Sequence, residues 1–388
     1  MGQPKLTITI QSGGLSRKNP DENNISGLLC FNSIMPSSGW TVSGNTVMLK
    51  SVSEAEKTYG ILSTGNHSVE HFQITEFFNA APNSTLYLGI YPSGSTSFSE
   101  ITLMQNKAQG KLRRLGIQML SETGTTTMVG TIQTICNNLY NDNKPLYVIL
   151  APNSYTLDLT TAPSLRALNS KYVGVFIGQD NTGRGWELAT GKTYSVTALG
   201  KLLGFNSAAP VNVNVGWIGQ YNFQQGTENA GVNLGQSDFW NINTSTLDTL
   251  NDNGYMFLKK VTGLDGTYLN DMPACTSSTD DYAYLTDTNT IFKAVRGVRT
   301  FVLPLVNSPI LLNSDGTIAQ TNVTNFELTA GNPLLTMKEN GEISDYKVFV
   351  DPDQEVLSTS TVNIVIGVLP TGTARWIEVS IGFVANIS

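Results

Sequence analysis

The chain has 388 residues, 40% of them apolar and only 14% charged, with a formal net charge of −7. That length allows one large domain or two to three smaller ones, each with a real core. The acidic balance leaves no basic footprint for nucleic acid, and the longest apolar runs, such as YVGVFIG and VNIVIGVLP, are too short to span a bilayer.

The start, MGQPKLTITIQ, has no basic segment followed by an apolar one, so no cleaved secretory signal is expected. Leu6 stands where a myristoylation motif needs Ser or Thr. Lys5 to Ile10 alternates polar and apolar residues, the period of a half-buried strand. The Gly-, Asn- and Asp-rich stretch QSGGLSRKNPDENN follows as a loose tether. Compact structure is expected from Ile25. EHFQITEFF reads as a helix with Asn66 as its N-cap and Val69, Phe72, Phe77 and Phe78 near one face. STLYLGIY reads as a strand. Met128, Ile132, Ile135 and Leu139 recur at helical spacing. KPLYVILAP and KYVGVFIGQD read as buried strands on either side of a short helix, APSLRALNS. This alternation of helix and buried strand predicts an α/β region with parallel pairing.

In the second half, STLDTLNDNG predicts a helix opened by Ser or Thr and ending at Gly254, followed by the strand YMFLKKV. A long helical segment is expected through Tyr284, Leu285, Ile291, Val295 and Val298, stopped or kinked at Pro304. NVTNFELTAGNPLLTMKENGEI predicts two short helical turns split at Gly331. STVNIVIGVLPTGTARWIEVSIGFVANI reads as two strands around PTGT. Ile377, Val379, Ile381 and Phe383 lie on one face of the second strand, Glu378 and Ser380 lie opposite, and Arg375 precedes them. Cys30, Cys136 and Cys275 are far apart with no C-x-x-C, the pattern of buried structural thiols in a reducing compartment.

Two motifs imitate chemistry. His67, Glu70 and His71 spell H-x-x-E-H, the inverted zinc-protease pattern, and are the only place with histidine. Zinc catalysis also needs a third protein ligand, and no distant carboxylate is singled out. GWELATGKT resembles a phosphate loop around Lys192 and Thr193. However, five residues rather than four separate Gly185 from Gly191, and Trp186 stands where the motif needs glycine. DGTYLNDMPACTSSTDD is acidic but lacks the calcium-loop spacing, and reads as a solvated loop. No catalytic residue, cofactor-binding residue or metal ligand is assigned, which points to a structural or assembly role rather than an enzyme.

The order of segments resembles the contractile tail sheath proteins of bacteriophages and related contractile injection systems. The features that carry the resemblance are Leu250, Asn251 and Gly254 at a helix end before a strand, and the basic element Val295–Arg296 in a later helix. They continue with Gly341, Ile343, Tyr346 and Val348, and with the closing alternation Ile377, Val379, Ile381 and Phe383. HFQITEFFNAAPNSTLYLGI is similar to the sheath helix that ends in FF before a strand, without the usual Gly-Gly. Between Pro309 and Met337 the long helices usual in sheaths look shortened. The resemblance implies a mixed α+β chain with three parts. Residues 1–24 form an N-terminal arm and linker, 25–285 an outer α/β sheath domain with a mixed sheet, and 286–388 an inner α+β domain ending in a strand hairpin or arm. It implies a virion tail protein, assembled in the host bacterial cytoplasm, whose copies stack in rings, usually sixfold, around an inner tube protein. Baseplate and tail-terminator proteins are the further partners, with no cofactor, no direct nucleic acid and no membrane insertion. Contraction drives the tube through a target envelope.

The residues support the arm idea independently. A period-two strand on a loose tether suits β-augmentation, and left alone it is a sticky edge. Leu6, Thr7, Ile8, Thr9 and Ile10, together with Arg375, Trp376, Ile377, Glu378, Val379, Ser380, Ile381 and Phe383, are therefore expected to form intersubunit strands. The alternatives are a non-contractile virion protein, such as a tube or capsid component, and a zinc hydrolase using His67, Glu70 and His71.

Overall fold

A computed structural model describes residues 23–32, 45–92, 97–121 and 124–383. In chain order the first elements are β1 (Ile25–Asn32), β2 (Thr46–Leu49), α1 (Val52–Tyr59), α2 (Ser68–Ala80), β3 (Thr85–Pro92), α3 (Ser99–Lys107), β4 (Arg114–Met119), α4 (Thr125–Asn141), β5 (Tyr147–Ala151) and β6 (Val173–Phe176). Next come β7 (Gln179–Asp180), α5 (Arg184–Ala189), α6 (Leu199–Ala208), β8 (Val232–Leu234), β9 (Ser237–Asp238), α7 (Thr244–Asp252) and β10 (Tyr255–Met256). One seven-stranded sheet runs β10-β6-β5-β4-β1-β3-β2. All its pairings are parallel except that of the edge strand β2, which runs antiparallel to β3. The strands β1, β4, β5 and β6 are buried along their whole length, as a parallel sheet covered on both faces requires. This is the α/β alternation expected from the apolar runs.

Glycines set how closely the helices approach. A Cβ on Gly27 of β1 or Gly89 of β3 would lie under 3 Å from Met104 of α3, while one on Gly116 of β4 would strike Leu203 of α6. The sheet is thus sandwiched between α3 and α6. A second layer packs on α6. Ideal Cβ atoms on Gly200 and Gly204 would sit 2.1 and 2.6 Å from the carbonyl oxygens of Gln73 and Phe77 in α2. Backbone therefore meets backbone across the two helices. Gln73 stitches the contact, donating from Nε2 to the Thr197 carbonyl (2.7 Å) and accepting from the Gly200 N–H (2.6 Å). Beside it Lys201 pairs with Glu76 at 3.3 Å, both side chains almost fully buried.

Arg114, wholly buried in β4, carries charge into this core. Its Nη1 donates to the Asn23 carbonyl (2.8 Å) and the Ser207 hydroxyl (3.2 Å), and its Nε to the Tyr147 hydroxyl (3.0 Å). Ser207 lies in the last turn of α6, where the helix dipole favours a cation. Arg114 therefore fixes the backbone just before β1.

Beyond the sheet, β11 (Leu258–Val261) and β12 (Leu264–Leu269) form an antiparallel ribbon. The chain continues through α8 (Leu285–Val302), α9 (Gln320–Glu339), β13 (Asp345–Phe349), α10 (Val356–Thr359) and β14 (Val365–Leu369). Strands β13 and β14 pair antiparallel. Leu285 and Phe292 of α8 belong to the main core, while Ala294 belongs to a second cluster with Leu334, Met337 and Ile343.

Several local expectations change. The predicted break at Gly331 is absent, because α9 runs unbroken for 20 residues with Pro333 inside it. Gly331 leaves room for Tyr346 of the hairpin at 3.4 Å, and Pro333 seats against Gly297 of α8. Tertiary packing thus outweighs local propensity. It also means that the helix expected to be shortened between Pro309 and Met337 is a full one. The N-cap of α2 is His67, not Asn66, and α7 is capped at Asn243 rather than by Ser or Thr. APSLRALNS holds only a 3-10 turn at Arg166–Leu168. Part of the acidic stretch read as a solvated loop is β12, with Thr267 and Cys275 buried. Residues after Leu369 form no strand among the described residues, so of the two strands predicted around PTGT only the first, β14, is present.

The contact between α2 and α6 yields a test. Gly200→Ala forces a methyl group onto the Gln73 carbonyl and is expected to destabilise the subunit by about 1–3 kcal/mol. Gly130→Ala, at an α4 position with open space around it, is expected to stabilise by roughly 0.5–1 kcal/mol through helix propensity. Opposite shifts in thermal melting midpoint confirm the packing; equal shifts contradict it.

Candidate functional site

The catalytic look-alikes are built into the scaffold. His71 Nε2 lies 2.8 Å from Glu56 of α1 and its Nδ1 is 3.4 Å from the Thr75 hydroxyl, so both ring nitrogens are engaged. Glu70 is fully buried and accepts from Asn32 at 2.6 Å, while His67 stands 3.9 Å from it. Among the described residues no group of three or more His, Cys, Asp or Glu side chains is arranged to hold a metal.

The phosphate-loop look-alike, residues 185–193, is most of the short helix α5 and the turn after it, and its Glu187, Thr190 and Lys192 amides donate to the Gly183, Trp186 and Ala189 carbonyls. The Gly183 N–H donates to Asp180 (2.9 Å) and the Arg184 N–H to Glu228 (2.9 and 3.0 Å). These carboxylates hold the turn just ahead of the look-alike, and burial pushes the Glu228 carboxyl up.

The C-terminal unit is different. Tyr346, Val348, Ile366 and Val368 turn one hairpin face onto Leu334 and Met337 of α9. The other face leaves Phe349, Val365 and Leu369 exposed. The hairpin has only two strands, so each presents an outer edge with no strand partner among the described residues.

From Leu369 the chain crosses back to the body. Ser344 holds the Leu369 and Pro370 carbonyls (both 2.9 Å), and Asn212 donates to the Thr371 hydroxyl (3.0 Å). Arg375 then inserts beside the body: its Nε donates to Asp271 at 2.8 Å, and its guanidinium lies 3.3 Å from the centre of the Tyr284 ring. Asp271 is held from the other side by the Met272 N–H and by Asn214. Burial pushes the nearby Asp287 carboxyl up, against the pull of Arg375. The root of this segment borders an open groove of about 1020 Å³ that includes Trp217, Phe257 and Lys259. Past Arg375 every described side chain is exposed: Trp376 and Ile377 at 80%, Val379 at 73% and Ile381 at 94%.

Of the residues expected to form intersubunit strands, Arg375 is thus tied to the body. Trp376, Ile377, Glu378, Val379, Ser380, Ile381 and Phe383 form an exposed segment outside any helix or strand. Leu6, Thr7, Ile8, Thr9 and Ile10 lie outside the described residues. Sequence reasoning missed Asp271 and Tyr284, which carry no motif. It also missed the free hairpin edges, for which the alternation of Tyr346 and Val348 was the available signal.

Solved structures share this architecture nearly end to end. The sheath of the anti-feeding prophage in its contracted state is 13% identical with a TM-score of 0.66, covering 98% of this chain and 99% of that one. A chain of the same particle's sixfold-symmetrised baseplate gives 13% and 0.62 with the same coverage. A sheath tail protein from Desulfitobacterium hafniense gives 9% and 0.55, covering 95% of this chain and all of that one. The chain therefore has the fold of contractile tail sheath proteins. Its sequence matches the DUF2586 N-terminal domain over residues 3–273 and the DUF2586 C-terminal domain over residues 281–388. The chain belongs to the DUF2586 family. No curated protein matches it in sequence.

The cysteines give this subsection its test. All three are buried and free. Burial pushes the Cys136 thiol up and Cys275 to about 12, while burial and then the neighbouring Glu70 raise Cys30. Protonated, enclosed thiols are poor nucleophiles. A chromogenic thiol reagent is expected to find no reactive group in the native subunit at neutral pH and all three in denaturant.

Proposed function

We propose that this chain is the structural subunit of a contractile tail sheath. Its copies stack in rings, sixfold, around an inner tube protein, meet baseplate and tail-terminator proteins at the ends, and contract to drive the tube through a target envelope. In this reading it is a virion tail component assembled in the host bacterial cytoplasm, and it performs no catalysis. Residues 1–24 serve as an arm and linker, 25–285 as the sheath body and 286–388 as the inner domain. The observation that carries the reading is the sheath fold itself, run nearly end to end and finished by an exposed segment with no strand partner among the described residues.

The physical support is at the C-terminus. Ile377, Val379, Ile381 and Phe383 stand exposed at alternate positions. Burying such a side chain is worth about 1.5–3 kcal/mol. A strand also leaves its N–H and C=O groups unsatisfied until another strand pairs with it. The hairpin β13–β14 offers two free edges of the matching kind. Strand addition between copies satisfies donor and acceptor together, and linked copies can slide past one another without separating. We take Leu6–Ile10 as the second donated strand.

Deleting residues 1–15 is expected to leave a folded subunit by circular dichroism and to abolish long tubes in negative-stain micrographs. Undiminished tubes from the truncated chain would remove the N-terminal strand from the assembly.

A further inference from the structure

We infer that Arg375, clasped between Asp271 and Tyr284, is the residue that sets where and in which direction the C-terminal segment leaves the subunit. Its use rests on the sheath reading; its geometry does not.

The clasp is divided between the body and the C-terminal segment. Asp271 lies just after β12 and is held by the Met272 N–H and by Asn214, so it belongs to the body. Tyr284 is the N-cap of α8, and its backbone bridges to Pro273. A second guanidinium, that of Arg166, lies 5.7 Å from the Tyr284 ring centre and donates to the carbonyls of Ala274 and Ala283. Three body groups thus form a fixed seat. Arg375 comes from 104 residues further along the chain and is the last side chain that the body holds. The residues beyond it are solvent-exposed.

A guanidinium suits this seat. Its planar face stacks on the ring while its edge donates to the carboxylate, and an ammonium reproduces only the charge. Asp271 and Arg375 are both largely buried in the contact, so salt screens the pair less than it would a surface bridge.

Without the clasp, the previous attachment is Thr371, held by Asn212. Four further residues would be freed, extending the segment's reach by about 13 Å at full extension. A strand on a longer free tether searches a larger volume, so its effective concentration at any acceptor edge falls. The clasp therefore preorganises the segment for pairing.

The test reads the segment in the unpolymerised full chain. The native cysteines are buried, so spin labels at Ile377→Cys and at exposed Asn138→Cys on α4 report the distance between segment and body by pulsed electron resonance. A narrow distribution is expected with Arg375 present. Arg375→Ala and Asp271→Asn are both expected to broaden it about twofold or more, with Arg375→Lys intermediate because it loses the stacked plane. Asp271→Asn decides the matter if Arg375→Ala fails to fold by circular dichroism. A distribution equally wide with and without the clasp overturns the inference. In parallel, Arg375→Ala is expected to need about tenfold more protein to form tubes, the equivalent of one modest contact. If the distances behave as expected but even the unsubstituted chain forms no tubes, the clasp stands and the sheath reading falls. If tubes form while the distances ignore Arg375, the clasp falls alone.

Discussion

The body depends on a contact of backbone against backbone: α2 and α6 meet at Gly200 and Gly204 with no room for a methyl group. A parallel sheet buried on both faces needs a continuous cover, and here the cover on one face is α6, itself backed by α2. Because α6 presses on β4 through Gly116, a displacement of α2 would be felt in the centre of the sheet. The buried groups that hold this contact, Gln73 and the Lys201–Glu76 pair, are all hydrogen-bonded or ion-paired across the same two helices. Polar groups in such a place specify one arrangement, since each misplacement strands a buried donor or charge.

The opposite condition holds at the C-terminus. In the body every named strand pairs with at least one other strand of the chain; from Trp376 onward no strand forms among the described residues. The same physical rule, that strand N–H and C=O groups require partners, makes one part of the subunit self-sufficient and the other dependent on additional chains. The H-x-x-E-H and phosphate-loop look-alikes fall on the self-sufficient side. There Glu56 engages His71, and the amides of the phosphate-loop look-alike serve the hydrogen bonds of α5 and its closing turn.

The body was largely legible from residue order. Unbroken apolar runs such as YVILA and VGVF can be buried on both sides only in a covered parallel sheet, and the helices between them show the 3.6-residue period. Local signals failed where distant packing decided. Gly331 and Pro333 look like helix breakers, yet α9 continues through them because Tyr346 and Gly297 fit the space they leave. The exposed alternation at Ile377, Val379 and Ile381 predicts a strand, yet none forms there among the described residues, because a pattern records the preference for a partner and not whether one is present. Asp271 had no readable signal at all, since its importance comes from a residue 104 positions away.

Helix α8 has a mechanical consequence. Its first half, at Leu285 and Phe292, is embedded in the main core, and its second half, from Ala294, in the C-terminal cluster. Eighteen residues of α-helix make a rod of about 27 Å. A rod rooted at both ends in separate cores transmits torque between them, because bending it would open one core or the other. Force applied at the hairpin is therefore passed to the large sheet along α8, and compliance is left to the thin segment outside both cores.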